Sequence, residues 1–213
     1  ANNAVIRDRS ESLKGKVIGY NEWKLAKLPK ETVDKTEEAI KKLEKAGAII
    51  KRIQIPKTKN IMDVMKYEFK YALNNYLKTL PESFSIHTLK DIVEFNKLQP
   101  EKATQYGQTY LIDAEENTLG TMEESIYQEI IKDREENMIR ICEQIKDIDL
   151  CIMLSYNNIM HYTELPVITI PCGIYKDGMP FGLMMTAKTD ADLIGHAYAV
   201  ERTIGQRVEP KIR

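Results

Sequence analysis

The chain has 213 residues, 43% hydrophobic and 30% charged, with 31 Lys and Arg against 32 Asp and Glu, a formal charge of -1. This is the composition of a globular protein with one large or two small domains, and its near-zero charge argues against attraction to nucleic acid or to an anionic membrane. No apolar run approaches bilayer length, no secretory h-region opens the chain, and Cys142, Cys151 and Cys172 lack metal or redox spacing, so the expectation is a cytoplasmic protein with reduced thiols, no metal and no cofactor.

Gly15-Lys-Val-Ile-Gly-Tyr20 is a short β-favouring run. Leu28-Pro29 opens a helix whose first turn carries Glu31 and Asp34, which complement the helix dipole. Val33, Ile40 and Leu43 recur at helical spacing, Lys41, Lys42 and Glu44 fall on the other side, and Gly47 is placed to cap the end. Residues 48–55 then read as a strand that Pro56 stops. The whole is a strand–helix–strand unit, which implies parallel strands joined by a crossover.

Residues 60–148 read as mostly helical. In Ile61 to Leu80 the apolar residues Met65, Phe69, Ala72, Leu73 and Tyr76 mark one helix face, and Pro81 ends the helix. Thr88 precedes Leu89–Leu98 as an N-cap, with Asp91 in a capping-box position. Pro100 opens a short helix that Gly107 interrupts, and Met122–Ile148 reads as a long amphipathic helix with Ile126, Ile130, Ile141 and Ile145 inside. Residues 149–205 return to strands. Asp149–Leu154 is almost wholly apolar, as in a strand covered on both faces, and Val167–Cys172 and Phe181–Ala187 flank a Lys176-Asp177-Gly178 turn as a hairpin. Thr189 or Asp190 caps a last helix that ends before Gly205. These segments make an α/β protein, a mixed β-sheet flanked by helices, with residues 1–213 as one unit subdivided at 15–56, 60–148 and 149–205.

Amide hydrolysis through a nucleophile requires an activated hydroxyl or thiol, a base within reach and donors for the oxyanion. None of Ser10, Ser12, Ser83, Ser85, Ser125 and Ser155 sits in a glycine-rich turn, and the chain contains no adjacent glycine pair. Cys172, between Pro171 and Gly173, reads as a small buried residue before a turn rather than a nucleophile. His87, His161 and His196 show no ligand pairing, and His196 reads as a packing or surface residue. Two polar clusters keep a functional reading. Asn157 and Asn158 follow the buried strand at the position where α/β sheets gather ligands, and they read either as amide-binding side chains or as part of an ordinary loop. Tyr106 and Gln108 flank Gly107 and either line a pocket or mark a simple break between helices.

In order along the chain, Leu13-Lys-Gly-Lys-Val-Ile-Gly19, Leu43-Glu-Lys-Ala-Gly-Ala48, Asp149–Leu154, Leu165-Pro-Val-Ile-Thr-Ile-Pro-Cys-Gly173, Asp177–Leu183 and a closing helix with Ala197, Glu201 and Gly205 resemble the C-terminal half of the amidase signature family. The stretch from Glu68-Phe-Lys-Tyr-Ala-Leu-Asn74 to Tyr106-Gly-Gln108 is similar to the branch of peptide amidases and 6-aminohexanoate-cyclic-dimer hydrolases. The resemblance implies amide hydrolysis by a Ser–Ser–Lys triad, in which lysine acts through a bridging serine and backbone amides hold the oxyanion. It also implies that all of those residues belong to the half not present in these 213 residues. No catalytic residue is therefore assigned. The present half contributes sheet and one pocket wall, for which Tyr106, Gln108, Asn157 and Asn158 are the candidates. The chain departs from many members at Ser155-Tyr156, where they carry a Thr-Pro segment and a longer loop. The rival expectation is a non-catalytic structural or interaction fragment. Under either, the expected partners are an amide substrate only when an N-terminal half is joined, no nucleic acid, no membrane, and further copies of the chain bound through an uncovered sheet surface.

Overall fold

In the computed structural model, which describes residues 12–23, 25–55, 61–153, 163–205 and 207–209, the run after Gly15 forms β1 (Val17–Asn21). A 3-10 turn at Leu25–Lys27 leads into α1 (Lys30–Lys45), and β2 (Ile49–Ile53) returns parallel to β1 with Val17 opposite Ile49. The helical stretch comprises α2 (Ile61–Leu77), α3 (Leu89–Lys97), α4 (Pro100–Ala103), α5 (Thr109–Glu116) and α6 (Ser125–Gln144). Then come β3 (Leu150–Met153), β4 (Val167–Ile174), β5 (Pro180–Thr186) and α7 (Asp190–Ile204). The five strands form one mixed sheet in the order β2-β1-β3-β5-β4, with β3 parallel to β1 and antiparallel to β5.

The chain divides into two units. One is the sheet unit, residues 1–58 with 137–213, and the other is the helical unit, residues 59–136. The division falls inside α6.

In the sheet unit the strand period of two sorts side chains between faces. Ile18, Tyr20, Leu150 and Ile152 point to a core shared with α1 (Ile40, Leu43) and α7 (Leu193, Val200). Cys151 and Met153 point the other way, against Ile141 and Ile145 of α6 and Ile148 beyond it. All four residues of β3 are buried, as a doubly covered strand requires. Gly19 sits where Ile148 approaches most closely; a Cβ there would lie 2.8 Å from the Ile148 Cδ1.

Side chains stand in for ladder hydrogen bonds at both ends of β1. At its head the Asp149 carboxylate accepts the Val17 N–H at 2.8 Å, and the Asp149 N–H donates to the Val17 carbonyl at 2.9 Å. At its tail the buried Asn21 amide accepts the Ile55 N–H at 2.9 Å and donates to the Ile55 carbonyl at 3.1 Å. Asn21 so carries the β1–β2 pairing past the end of β2.

The capping signals are realised. Thr88 and Asp91 form both halves of a capping box on α3, Thr189 accepts the Asp192 N–H at 3.1 Å, and Gly205 ends α7 with φ 61. The Lys176–Gly178 turn closes the β4–β5 hairpin, and the Glu31 carboxylate at the head of α1 accepts the Lys176 N–H at 2.9 Å.

In the helical unit most of the apolar residues read at helical spacing on α2 face outward, while Leu73 packs on Leu89 and Val93. Met65, Phe69 and Tyr76 are exposed, and Ile61, Val64, Tyr67, Lys70 and Leu77 are the buried positions. Ile126 is likewise exposed, and its neighbour Tyr127 packs inward with Ile130 on Val64 and Tyr67. Lys70 fills an inner position by laying its stem against Gly120 and donating from its ammonium to the Glu115 carbonyl at 2.6 Å and the Thr118 carbonyl at 2.8 Å, so it satisfies the end of α5.

Replacing Asn21 by Ala orphans the N–H and C=O of the fully buried Ile55; at ~1–3 kcal/mol per unsatisfied group the expected loss is ~2–6 kcal/mol. Urea unfolding of Asn21→Ala beside the parent chain measures it, and an unchanged midpoint would show that the amide does not hold this junction.

Candidate functional site

The parallel strands β1, β2 and β3 end on one edge of the sheet, where α/β proteins place ligands. Asn21, Glu22, Gln54 and Ile55 gather there, and an open groove of about 600 Å³ beside them is lined by Glu22, Leu25, Leu28 and Gln54. Arg52 on β2 organises the charges. Its guanidinium bonds the Glu22 carboxylate, forms a fork onto Glu37 at 3.1 and 3.2 Å, and lies 5.2 Å over the Tyr20 ring. The Arg52 fork holds the Glu37 carboxyl below its usual range. Burial, with the Glu37 carboxylate beside it, pushes the Tyr20 phenol well above its usual value, so it stays a neutral hydroxyl.

Asn157 and Asn158, the two amides expected beyond β3, lie outside the described residues, as does His161. Tyr106, on the connection between α4 and α5, is 95% exposed. Gln108 stands just before α5 with its amide engaged: its Oε1 accepts from Asn96 at 3.1 Å and its Nε2 donates to the Val93 carbonyl at 3.3 Å. The side chain thus ties α3 to the start of α5.

Of the nucleophile candidates, Cys151 is buried and its thiol is pushed up to about 12, and burial also raises Cys172. Cys172 lies inside β4 rather than at its end, because the strand continues through a bulge to Ile174. Ser12, Ser83, Ser85 and Ser125 are exposed. Among the described residues no three His, Cys, Asp or Glu side chains are grouped to hold a metal ion. No helix among them is long and apolar enough to cross a membrane.

His196 is a buried residue of α7 whose Nδ1 finds no hydrogen-bond partner among the described residues. Burial and then the Lys16 ammonium lower its pKa, against the opposing pull of Asp149 and Asp192. Burial acts to raise the Asp149 carboxyl, but the Val17 N–H and the Lys16 ammonium outweigh it and leave it lowered. Sequence reasoning missed Lys70, whose signal was its place in the 61, 64, 67, 70 series; His196, read as a packing or surface residue, is a buried one. A second cavity, of about 400 Å³, lies within the helical unit between α2 and α5, with Met62, Met65, Phe69 and Tyr110 among its lining residues.

No protein-family model and no curated protein matches the sequence. Solved structures do match. An amidase family protein from Bacillus anthracis str. Ames superposes with a TM-score of 0.81 at 24% identity, over 95% of this chain and 41% of its own. Native peptide amidase from Stenotrophomonas maltophilia gives a TM-score of 0.75 at 22% identity, over 94% of this chain and 45% of its own. A bacterial aryl acylamidase of the amidase signature family gives 0.58 at 14% identity, over 92% and 45%. The chain has the α/β fold of the C-terminal half of the amidase signature proteins, and it spans less than half the length of those structures.

Two outcomes follow from these environments. In the folded chain the exposed Cys142 is expected to react with an aromatic disulfide reagent at least about tenfold faster than Cys151 and Cys172, which become reactive only on unfolding; equal rates for all three would refute the burial of the two thiols. Because His196 binds its proton more weakly folded than unfolded, its share of the stability is complete above about pH 6.5 and is lost as the pH falls from there toward its folded pKa. The lowered Asp149 contributes in the same direction at more acid pH, below its unfolded value of about 3.9. Thermal melts of His196→Gln and the parent chain from slightly alkaline to mildly acid pH separate the two: the parent is expected to lose more stability than the variant, and parallel curves would rule the His196 contribution out.

Proposed function

We propose that this chain is the C-terminal half of an amidase-family hydrolase acting on linear or cyclic amide bonds. It supplies sheet and one pocket wall, and the Ser–Ser–Lys triad comes from an N-terminal half, so the 213 residues alone hydrolyse nothing. The observation that carries the proposal is the superposition on an amidase family protein over 95% of this chain and only 41% of that protein. The absence of any serine in a glycine-rich turn in the sequence supports it.

In this reading Tyr106, Gln108, Asn157 and Asn158 are the proposed substrate-wall residues, and Gln108 also joins α3 to α5. The peptide amidase or 6-aminohexanoate-cyclic-dimer type of substrate is the finer proposal, and the setting is cytoplasmic. Strands β2 and β4 end the five-stranded sheet on either side. With no N-terminal half present, copies of the chain are proposed to associate through the open sheet surface. Monodisperse monomers by light scattering at micromolar concentration would count against that association alone.

The deciding assay follows ammonia or amine release from a peptide amide and from 6-aminohexanoate cyclic dimer, with the chain alone and with the N-terminal half of an amidase added. Turnover only on mixing is the expected result. Turnover by the chain alone would defeat the proposal, and none in either case would favour a purely structural role.

A further inference from the structure

The helical unit exposes an apolar surface with a regular spacing. It holds twelve of the eighteen large hydrophobic residues that are exposed among the described residues, although it is the smaller unit. Five exposed residues of α2, Met62, Met65, Phe69, Ala72 and Tyr76, recur at alternating intervals of three and four. The four large ones are 41–63% exposed. This stripe is separate from the inward one that runs through Val64 and Leu77, so α2 carries two apolar faces and the unit uses only one of them. A three–four repeat is the seam along which a second helix packs; a strand, with period two, cannot follow it.

The seam opens into the cavity of about 400 Å³ whose other wall is Tyr110 and Leu111 of α5. Methionine walls adapt to varied apolar side chains. At the rim a single ammonium serves two carboxylates: Lys66 lies 3.7 Å from Asp63 and 3.4 Å from Asp113. The excess of acid holds for the whole unit. Residues 59–136 contain 9 Lys and Arg against 15 Asp and Glu, a net charge of -6, while the remaining residues contain 22 against 17, a net +5. Two such acidic faces repel one another, which disfavours a second copy seated seam to seam, and the same charge attracts a basic partner.

We propose that α2 and α5 form a docking groove for a basic amphipathic helix of a partner protein. The helix lays an apolar stripe of three–four spacing along Met62–Tyr76 and turns Lys or Arg toward the Asp63 and Asp113 rim. Met62 to Tyr76 is a rise of about 21 Å at 1.5 Å per residue, so the partner helix needs about four turns. The inference does not rest on amide hydrolysis and stands or falls without it.

The test uses the full chain and a fluorophore-labelled, capped peptide of two Leu-Lys-Lys-Leu-Leu-Lys-Leu heptads, with an acidic twin that has Glu for each Lys. Fluorescence anisotropy at physiological salt is expected to show saturable binding of the basic peptide and binding of the twin at least about tenfold weaker, a difference of about 1.4 kcal/mol. Met65→Ser and Phe69→Ser are expected to weaken the basic peptide by roughly the same factor or more, and Met179→Ser, an exposed methionine of the sheet unit, to leave it unchanged. All three positions are exposed, and far-UV circular dichroism checks that the variants fold; the comparison of the two peptides on the unmodified chain needs no variant. No binding, equal binding of the twins, or no response to Met65→Ser and Phe69→Ser would overturn the proposal. So would sedimentation showing self-association that these two substitutions abolish, because the groove would then belong to a second copy.

Discussion

Strand β1 is held at both ends by side chains that take the place of sheet hydrogen bonds, and the rest of the sheet unit depends on that. Asp149 meets Val17 with its carboxylate and its main chain together, and Asn21 meets both backbone groups of Ile55. β1 is the strand between two parallel neighbours, so fixing its ends fixes the register of β2 and β3 as well. A slip of one residue would send Ile18 and Tyr20 to the α6 side and Gly19 to the α1 and α7 side. The gap that Gly19 leaves for Ile148 is useful only in the observed register. The anchoring residues are polar, Asn21 buried and Asp149 half-buried, because each replaces a ladder bond that the chain cannot otherwise make at a strand end.

Much of this was legible. Alternation and turn chemistry are local, and they placed β1, β2, the hairpin and the mixed sheet; Thr88 with Asp91 and Gly205 marked helix ends for reasons contained within four residues. The anchors were not legible, because Asp149 and Asn21 act across separations of 132 and 34 residues that no local pattern records. Of the four candidate wall residues, the described structure shows the surroundings of two. Tyr106 is exposed on its connection, but Gln108, chosen as a pocket amide, is engaged with Asn96 and Val93. An Asn or Gln that binds a ligand and one that ties two helices together look the same in a sequence.

What the sequence leaves open at α2 has a different cause. Periodicity detects an apolar stripe but does not say which neighbour the stripe faces. On α2 the more conspicuous stripe, with Met65, Phe69 and Tyr76, faces out, while the inward face contains a lysine. Lys70 is tolerated there because its stem is apolar and its ammonium reaches two carbonyls left open at the end of α5 together with the Glu115 carboxylate at 3.3 Å. A sequence reading that assigns the lysine to solvent rotates the helix and reverses inside and outside.

The same accounting bears on chemistry. A catalytic group needs a lone pair or a proton that the resting structure has not already committed. At the sheet edge Asn21 is committed to Ile55, and Glu22 and Glu37 to Arg52; elsewhere Lys70 is committed to α5 and the Cys151 thiol is held protonated by burial. Among the described residues these polar groups serve to hold the fold. The fold itself matches amidase structures over less than half of their length.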